Sequence, residues 1–164
     1  MCIVITSRLW KNSDITYNGQ IMQGKVIALY ITKNDANKTR ETPSTIDVDE
    51  NGIIGDKFYA KDAQRAILIT ATDSYKLTKE NGIDITEGAL GENLLIDINP
   101  YHLLPGERFR VGDTLLEITQ NCTLCKGLST LNSKLPKLLK NDRGIFAKVV
   151  NGPHRIKIGD SVTL

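Results

Sequence analysis

The sequence predicts a mainly β protein, folded as a closed or partly open β-barrel with a few short helices. Three observations carry this prediction: many short runs rich in Ile, Val, Leu and Thr, Gly-Asp pairs that recur along the chain, and only two stretches with helical spacing. Parallel βαβ units would need more helices than the sequence offers. A sheet that closes on itself therefore fits better than a doubly wound one.

Eight runs are predicted as strands because each is bounded by Gly, Asn, Asp or Pro. In chain order they are 25–31, 65–71, 93–98, 108–111, 114–119, 145–150, 156–158 and 162–164. Gly112-Asp113 separates two runs by two residues, Gly159-Asp160 lies between the last two runs, and glycine supplies the positive φ of a type II′ turn. Both pairs are therefore predicted to join the strands of a hairpin.

Two stretches are predicted as helices. Thr72 or Asp73 can cap a helix that runs to Glu80, and Asn81-Gly82 provides the usual left-handed stop. Leucines between 128 and 139 recur with helical spacing, but Pro136 lies among them. We expect two short helices there instead of one long helix.

Composition and charge restrict the possible partners and the compartment. The 164 residues are 40% hydrophobic and 24% charged, which fits one folded domain. A net charge of only +2 lacks the field of a nucleic-acid binder. No run of 18 apolar residues and no export signal is present, so no membrane partner is expected. Three cysteines do not form an even disulfide framework, which favours the cytoplasm.

The first 23 residues read differently from the rest, so the domain is predicted over residues 24–164 with 1–23 as an N-terminal extension. Met22 precedes the first convincing strand and is a candidate initiator, which would make the leading segment a gene-start artefact. The alternative is an ordinary N-terminal strand over residues 2–6.

The stretch "CTLC" at 122–125 has three interpretations. It is half of a tetrahedral zinc site, but its other half is missing, because Cys2, His102 and His154 are scattered singly. A thioredoxin-like couple needs a βαβ context that the preceding hairpin does not supply. For Cys122 alone, burial as a small hydrophobe is favoured.

Cys125 is accompanied by cations and by a glycine loop. Arg143 stands directly before one predicted strand and Arg65 opens another, where either cation could stabilise a thiolate, although a lone arginine is more often a solvated surface group. The stretch 88–94 places two glycines before Glu92 and Asn93, in what could equally be a plain turn.

Taken together and in this order, these stretches resemble the MOSC domain, named for the C-terminal part of eukaryotic molybdenum-cofactor sulfurases. The resemblance is carried by "GIIGD" at 52–56 with Arg65 and "AILIT", "GALGENL" at 88–94, "LLPGERFRVGDTLLEITQ" at 103–120, "DRGIFAKV" at 142–149 and "IKIGDSVTL" at 156–164. It covers residues 24–164. The cysteine that follows L-L-E-I-T-Q in such domains corresponds to Cys125.

The resemblance implies a β-barrel that binds the molybdenum cofactor, a molybdopterin, or that carries activated sulfur toward it. Cys125 would then be a persulfide-forming thiolate or a soft ligand of molybdenum. The implied cofactor-binding set also contains cations for the pterin phosphate, main-chain amides of 91–93, and Glu92 and Asn93 to orient the pterin or fix the loop. Its side chains are Arg65, Arg143, Lys57, Lys126, Asp56, Glu92 and Asn93.

The chain departs from the family pattern in three places. Phe58, preceded by Lys57, stands where many relatives carry a histidine, and Leu124 stands where a proline often precedes the cysteine. The pyridoxal-phosphate module of the eukaryotic sulfurases is missing, so bound PLP is not expected.

Two activities and two kinds of protein partner follow from the resemblance. The domain would act in sulfur transfer or as the cofactor-bearing part of a reductase, and its partner would be a sulfur-donor cysteine desulfurase or a molybdoenzyme. The alternatives are a thiol-bearing barrel for binding or detoxification without molybdenum, and a C-x-x-C redox or zinc protein.

Overall fold

The computed structural model describes residues 20–123 and 126–164, with residue 126 as backbone only. The N-terminal strand suggested for residues 2–6 and the thiol of Cys125 lie outside the described residues. Within them the chain forms twelve strands and three α-helices. These are β1 (Gln23–Leu29), β2 (Ile31–Thr32), β3 (Arg40–Glu41), β4 (Thr45–Asp49), β5 (Gly52–Ile53), β6 (Ile67–Ala71), α1 (Thr72–Glu80), β7 (Leu94–Ile96), β8 (Arg108–Val111), β9 (Thr114–Asn121), α2 (Lys126–Leu131), α3 (Leu135–Leu138), β10 (Ile145–Val149), β11 (His154–Lys157) and β12 (Ser161–Thr163).

Seven strands close into a barrel in the order β1-β12-β8-β9-β10-β6-β7, which confirms the predicted fold class. Buried and half-exposed residues alternate along β9 and β10, because successive side chains of a strand point to opposite faces. The buried set fills the barrel with aliphatic side chains such as Ile67, Ile69, Leu116 and Ile145.

The two Gly-Asp pairs have different outcomes. Val111 pairs with Thr114 across Gly112-Asp113, and only the glycine of that pair has a positive φ, of 56°, as a type II′ turn requires. The hairpin predicted at Gly159-Asp160 is wrong: a turn is present, but β11 pairs with β4 while β12 pairs with β1 and β8. Local turn chemistry is the same at both pairs, and distant strands decide the pairing.

One parallel crossover interrupts the antiparallel barrel. β6 and β7 are parallel and α1 connects them, so the chain contains one βαβ unit where none was predicted. All five residues of β6 and all three of β7 are buried, as expected for strands covered on both faces. Strand β6 begins at Ile67, later than predicted, because Ala63–Arg65 is a 3-10 helix capped by the side chain of Asp62.

The ends of α1 were predicted with mixed success. Its N-cap is Ala71, which has no capping side chain, so the proposed caps Thr72 and Asp73 are wrong. Its C-terminal stop is confirmed, because Gly82 has a φ of 73° and the amide of Ile83 donates to the carbonyl of Thr78.

A second apolar cluster lies between the helices and the outside of the barrel. Leu128 of α2 and Leu135 of α3 pack there with Leu95, whose neighbours Leu94 and Ile96 face the barrel core. Two short helices, separated by residues 132–134, are present as predicted from Pro136. The interval 83–90 runs through this layer and is fixed by Ile83 and Leu90.

Three strands of the interval 40–53 were not predicted. β3 pairs with β2 in a separate two-stranded sheet, and β4 lies between β5 and β11 in a three-stranded one. In β4 the buried residues Ile46 and Val48 alternate with exposed ones, a signal that the sequence contains, although aspartate is depleted in strands.

Candidate functional site

The glycine loop, residues 88–92, is fixed by the buried carboxylate of Glu92. Oε1 of Glu92 accepts hydrogen bonds from the hydroxyl of Tyr75, at 2.5 Å, and from the amide of Gly88, at 3.0 Å. Glu92 is fully buried and Tyr75 is 9% exposed. The buried side chains of Tyr75 and Glu92 therefore connect the loop to the first turn of α1.

The pKa of Glu92 is raised because burial disfavours its charged form, while the hydrogen bonds and the charge of Arg40 act in the opposite direction. The pKa of Tyr75 is also raised, by burial and by the neighbouring Glu92 carboxylate. Oε2 of Glu92 has no hydrogen-bond partner and lies 4.0 Å from Nη2 of Arg40. This carboxylate is thus only half satisfied.

Arg40 also binds this loop, a role that no sequence pattern indicated. Its guanidinium lies 4.8 Å from the centre of the Tyr30 ring. Its Nη2 donates to the carbonyls of Gly88, at 2.9 Å, and Glu92, at 2.5 Å. Its Nη1 donates to Oγ1 of Thr32 at 3.3 Å, so the guanidinium connects the loop to β2.

Gly88 has to be glycine at this place. Its φ is 91°, and a Cβ there would lie 2.8 Å from Cε1 of Tyr30. The loop therefore packs directly on the aromatic ring against which Arg40 also stacks.

Asn93 and Asp56 connect the first and second family motifs. Asn93 accepts from the amide of Leu68 and donates to the carbonyl of Tyr30, and Asp56 accepts from the amide of Thr32 at 2.8 Å. The amide of Asn93 donates to the carbonyl of Leu68, and that of Gly91 to the carbonyl of Gly88. These side chains and amides are engaged within the protein, so they fix the loop.

Arg143 is the unusual cation of this region. It is 6% exposed, and its Nη2 donates to the carbonyl of Leu90 at 2.9 Å. Its Nε and Nη1 are buried without a hydrogen-bond partner, and no ion pair within residues 20–123 and 126–164 includes it. Burying a charged donor without partners costs free energy, which is typical of a site that binds something else.

The backbone around Arg143 leads toward the cysteine segment. Its carbonyl accepts from the hydroxyl of Thr70, and the amide of Cys122 donates to the carbonyl of Gly144 at 2.9 Å. A Cβ on Gly144 would lie 2.7 Å from the carbonyl oxygen of Ile69. Glycine thus allows β10 to begin against β6 beside residue 122.

The other predicted cations lie elsewhere. Arg65 is exposed and lies 5.2 Å from the centre of the Phe146 ring, near the start of β6, whereas the carbonyl of Arg143 bonds Thr70 near the other end of that strand. Lys57 lies over the exposed ring of Phe58. The side chains of Lys126 and Cys125 are outside the described residues, so their placement stays a prediction.

Cys122 is buried, with 5% of its surface exposed, as the burial interpretation expected. Among the described residues no group of three or more His, Cys, Asp or Glu side chains is arranged to hold a metal ion. In the same part of the chain, no helix is both long and apolar enough to span a membrane.

The described residues form a closed barrel whose glycine loop is held by Glu92 and Arg40. Arg143 is buried close to Cys122 and keeps two donors without a partner. The MOSC domain model matches residues 44–163. The chain therefore belongs to the MOSC domain family, as its sequence motifs indicated.

Solved structures agree with this fold. The YuaD protein of Bacillus subtilis superposes with a TM-score of 0.76 at 19% identity, covering 88% of this chain and 96% of that one. YiiM of Geobacillus stearothermophilus gives 0.63 at 17% identity, covering 86% and 75%. YiiM of Escherichia coli gives 0.62 at 20% identity, covering 86% and 68%. Among curated proteins, none matches this chain in sequence.

Proposed function

We propose that this MOSC domain binds the molybdenum cofactor or carries sulfur toward it, with Cys125 as the functional thiol and Arg143 as the contact for an anionic group. Membership of the family supports the general role. The observation that carries the assignment to residues is the pair of buried donors, Nε and Nη1 of Arg143, that have no partner.

The residues present fit an anionic pterin. The unpartnered Nε and Nη1 of Arg143 can each donate a charge-assisted hydrogen bond to an anionic oxygen, and a dry site strengthens such bonds. Leu90 fixes the third donor direction, so the free donors are already oriented. When bound, the cofactor would supply a redox-active metal coordinated by sulfur.

The chain connects this anion contact to the thiol. Cys122 is hydrogen-bonded to Gly144, the residue after Arg143. Cys125 follows three residues later, and three peptide units span at most about 11 Å between Cα atoms. A nearby positive charge favours the thiolate form of a cysteine.

Sulfur carriage would proceed by exchange at this thiolate. The Cys125 sulfur attacks the outer sulfur of a persulfide on a donor protein, a new S–S bond forms, and the donor leaves as its thiolate. Both the electrons and the sulfur are then conserved without another oxidant. The product is a Cys125 persulfide that can pass its outer sulfur to an acceptor.

Anaerobic purification of the full chain from a molybdenum-replete host tests the proposal. We expect either bound molybdenum with pterin or a mass increase of one sulfur atom, and loss of that signal in Cys125→Ser. Arg143→Gln should lower cofactor content at least tenfold, whereas Arg155→Gln, which changes an exposed arginine, should not. A Cys125→Ser protein that still acquires both cofactor and sulfur would refute the proposal.

A further inference from the structure

The interval 122–143, which runs from the cysteine segment to Arg143, is strongly basic in an otherwise acidic chain. It contains five basic residues and one acid, for a net charge of +4, whereas the remaining 16 basic and 18 acidic residues give −2. The modest overall charge therefore hides a local concentration of positive charge. That concentration falls between the two residues to which the proposed function is assigned.

Three lysines of this interval are exposed in and around α3. Leu135 and Leu139 anchor the region of α3 in the apolar layer over the barrel. Lys134, Lys137 and Lys140 are exposed: Lys134 is the N-cap of α3, Lys137 lies within it, and Lys140 follows its C-cap Leu139. We call these three residues the lysine face.

The lysine face is not neutralised by the protein itself. None of the ion pairs within the described part of the chain includes Lys134, Lys137 or Lys140. Leu131, at the end of α2, is 46% exposed beside it. A basic face with an accessible leucine has the composition that an acidic protein surface with an apolar contact would complement.

We propose that the lysine face is the docking surface for an acidic protein partner, which it orients toward the cysteine segment. This inference rests on the proposed function, because carrying sulfur or cofactor requires a second protein. A group of like charges raises the rate of association with an oppositely charged surface and selects the approach direction. Three lysines on a chain of net charge +2 are too few for the field of a nucleic-acid binder, so an acidic protein surface is the favoured occupant.

Binding of a fluorescent peptide of alternating glutamate and serine to the full chain, followed by anisotropy at low salt, tests this proposal. We expect saturable binding that weakens as salt is added. In Lys134→Gln/Lys137→Gln/Lys140→Gln the Kd should rise at least tenfold. The matched variant Lys25→Gln/Lys61→Gln/Lys79→Gln removes the same charge from exposed lysines elsewhere, and its Kd should stay within twofold of the wild type.

Further arms separate the alternatives. Amide chemical-shift changes on peptide addition should concentrate in residues 126–143. Equal weakening in the two triple variants, no binding by the wild type, or tighter binding of duplex DNA or of anionic lipid vesicles than of the peptide would overturn the proposal. Cys125→Ser should bind the peptide normally, so failure of the thiol assignment and failure of the docking assignment give different results.

Discussion

The hydroxyl oxygen of Tyr75 lies 2.5 Å from Oε1 of Glu92, and both side chains are buried. Tyr75 belongs to α1 and Glu92 to the loop before β7, so this bond joins the two ends of the parallel crossover. Its removal leaves a buried carboxylate with one donor fewer. We expect Tyr75→Phe to lower the free energy of unfolding by about 1–3 kcal/mol, measured by urea denaturation. No change in stability would show that the loop is held by other contacts.

The buried carboxylate should make stability depend on pH. Because burial raises the pKa of Glu92 in the folded state, the folded protein retains this proton where the unfolded chain has lost it. Its contribution is fully present below the unfolded pKa of about 4.5 and is lost as pH rises through the folded value. Urea titrations from pH 4.5 upward should show a smaller decline in Glu92→Gln than in the wild type. Identical slopes would exclude Glu92 as the source.

Arg40 should matter more than its half-exposed side chain indicates. In Arg40→Lys the hydrogen bond from Nη1 to Thr32 and the guanidinium over the Tyr30 ring are lost. We expect a loss of about 1–3 kcal/mol in unfolding free energy. Arg155→Lys is the control, because its ion pair with Asp47 is exposed and such pairs contribute about 0–1 kcal/mol. Equal losses of unfolding free energy in the two variants would show that Arg40 does not stabilise the glycine loop.

Two glycines with positive φ allow strain and steric clash to be separated. Gly82→Ala meets open space, so only the left-handed backbone should cost, about 1–2 kcal/mol. Gly88→Ala has a similar backbone cost and also places a Cβ against Tyr30. Thermal denaturation should therefore show the larger loss for Gly88→Ala, and a reversed order would argue against close packing of the loop on the ring.

The unpaired donors of Arg143 should make the protein sensitive to oxyanions. Phosphate that binds only the folded state at ten times its Kd would add about 1.4 kcal/mol of stability. We expect this gain, at constant ionic strength against chloride, in the wild type and in Arg155→Met, but not in Arg143→Met. A phosphate effect that survives Arg143→Met would place the anion elsewhere.

The sequence predicted the barrel because its strands carry local signals, namely aliphatic runs bounded by turn residues. It did not predict β3, since a two-residue strand has no periodicity to detect. Gly112-Asp113 and Gly159-Asp160 look alike locally, and only the tertiary partners of the second pair show that it leads from one sheet into another.

The site was predicted through motifs, with their physical roles left open. The motifs allowed Glu92 and Asn93 either to contact the pterin or to fix the loop. Their hydrogen bonds are made within the protein and fix the loop. A single arginine before a strand is ordinarily expected at the surface, but Arg143 is buried. Its burial depends on Leu90, which is distant in sequence, and on Gly144, which is small enough for close packing. The contact of Arg40 with the loop was not predicted, because no local pattern links this arginine to residues almost fifty positions later.

The insertion of β12 between β1 and β8 has a consequence for synthesis of the protein. While residues 161–163 are still in the ribosome, β1 and β8 would each present an unpaired edge, and such edges readily recruit strands from other chains. The barrel is therefore complete only after residues 161–163 have left the ribosome. Nascent chains stalled before residue 161 should be more prone to aggregate than chains that contain β12.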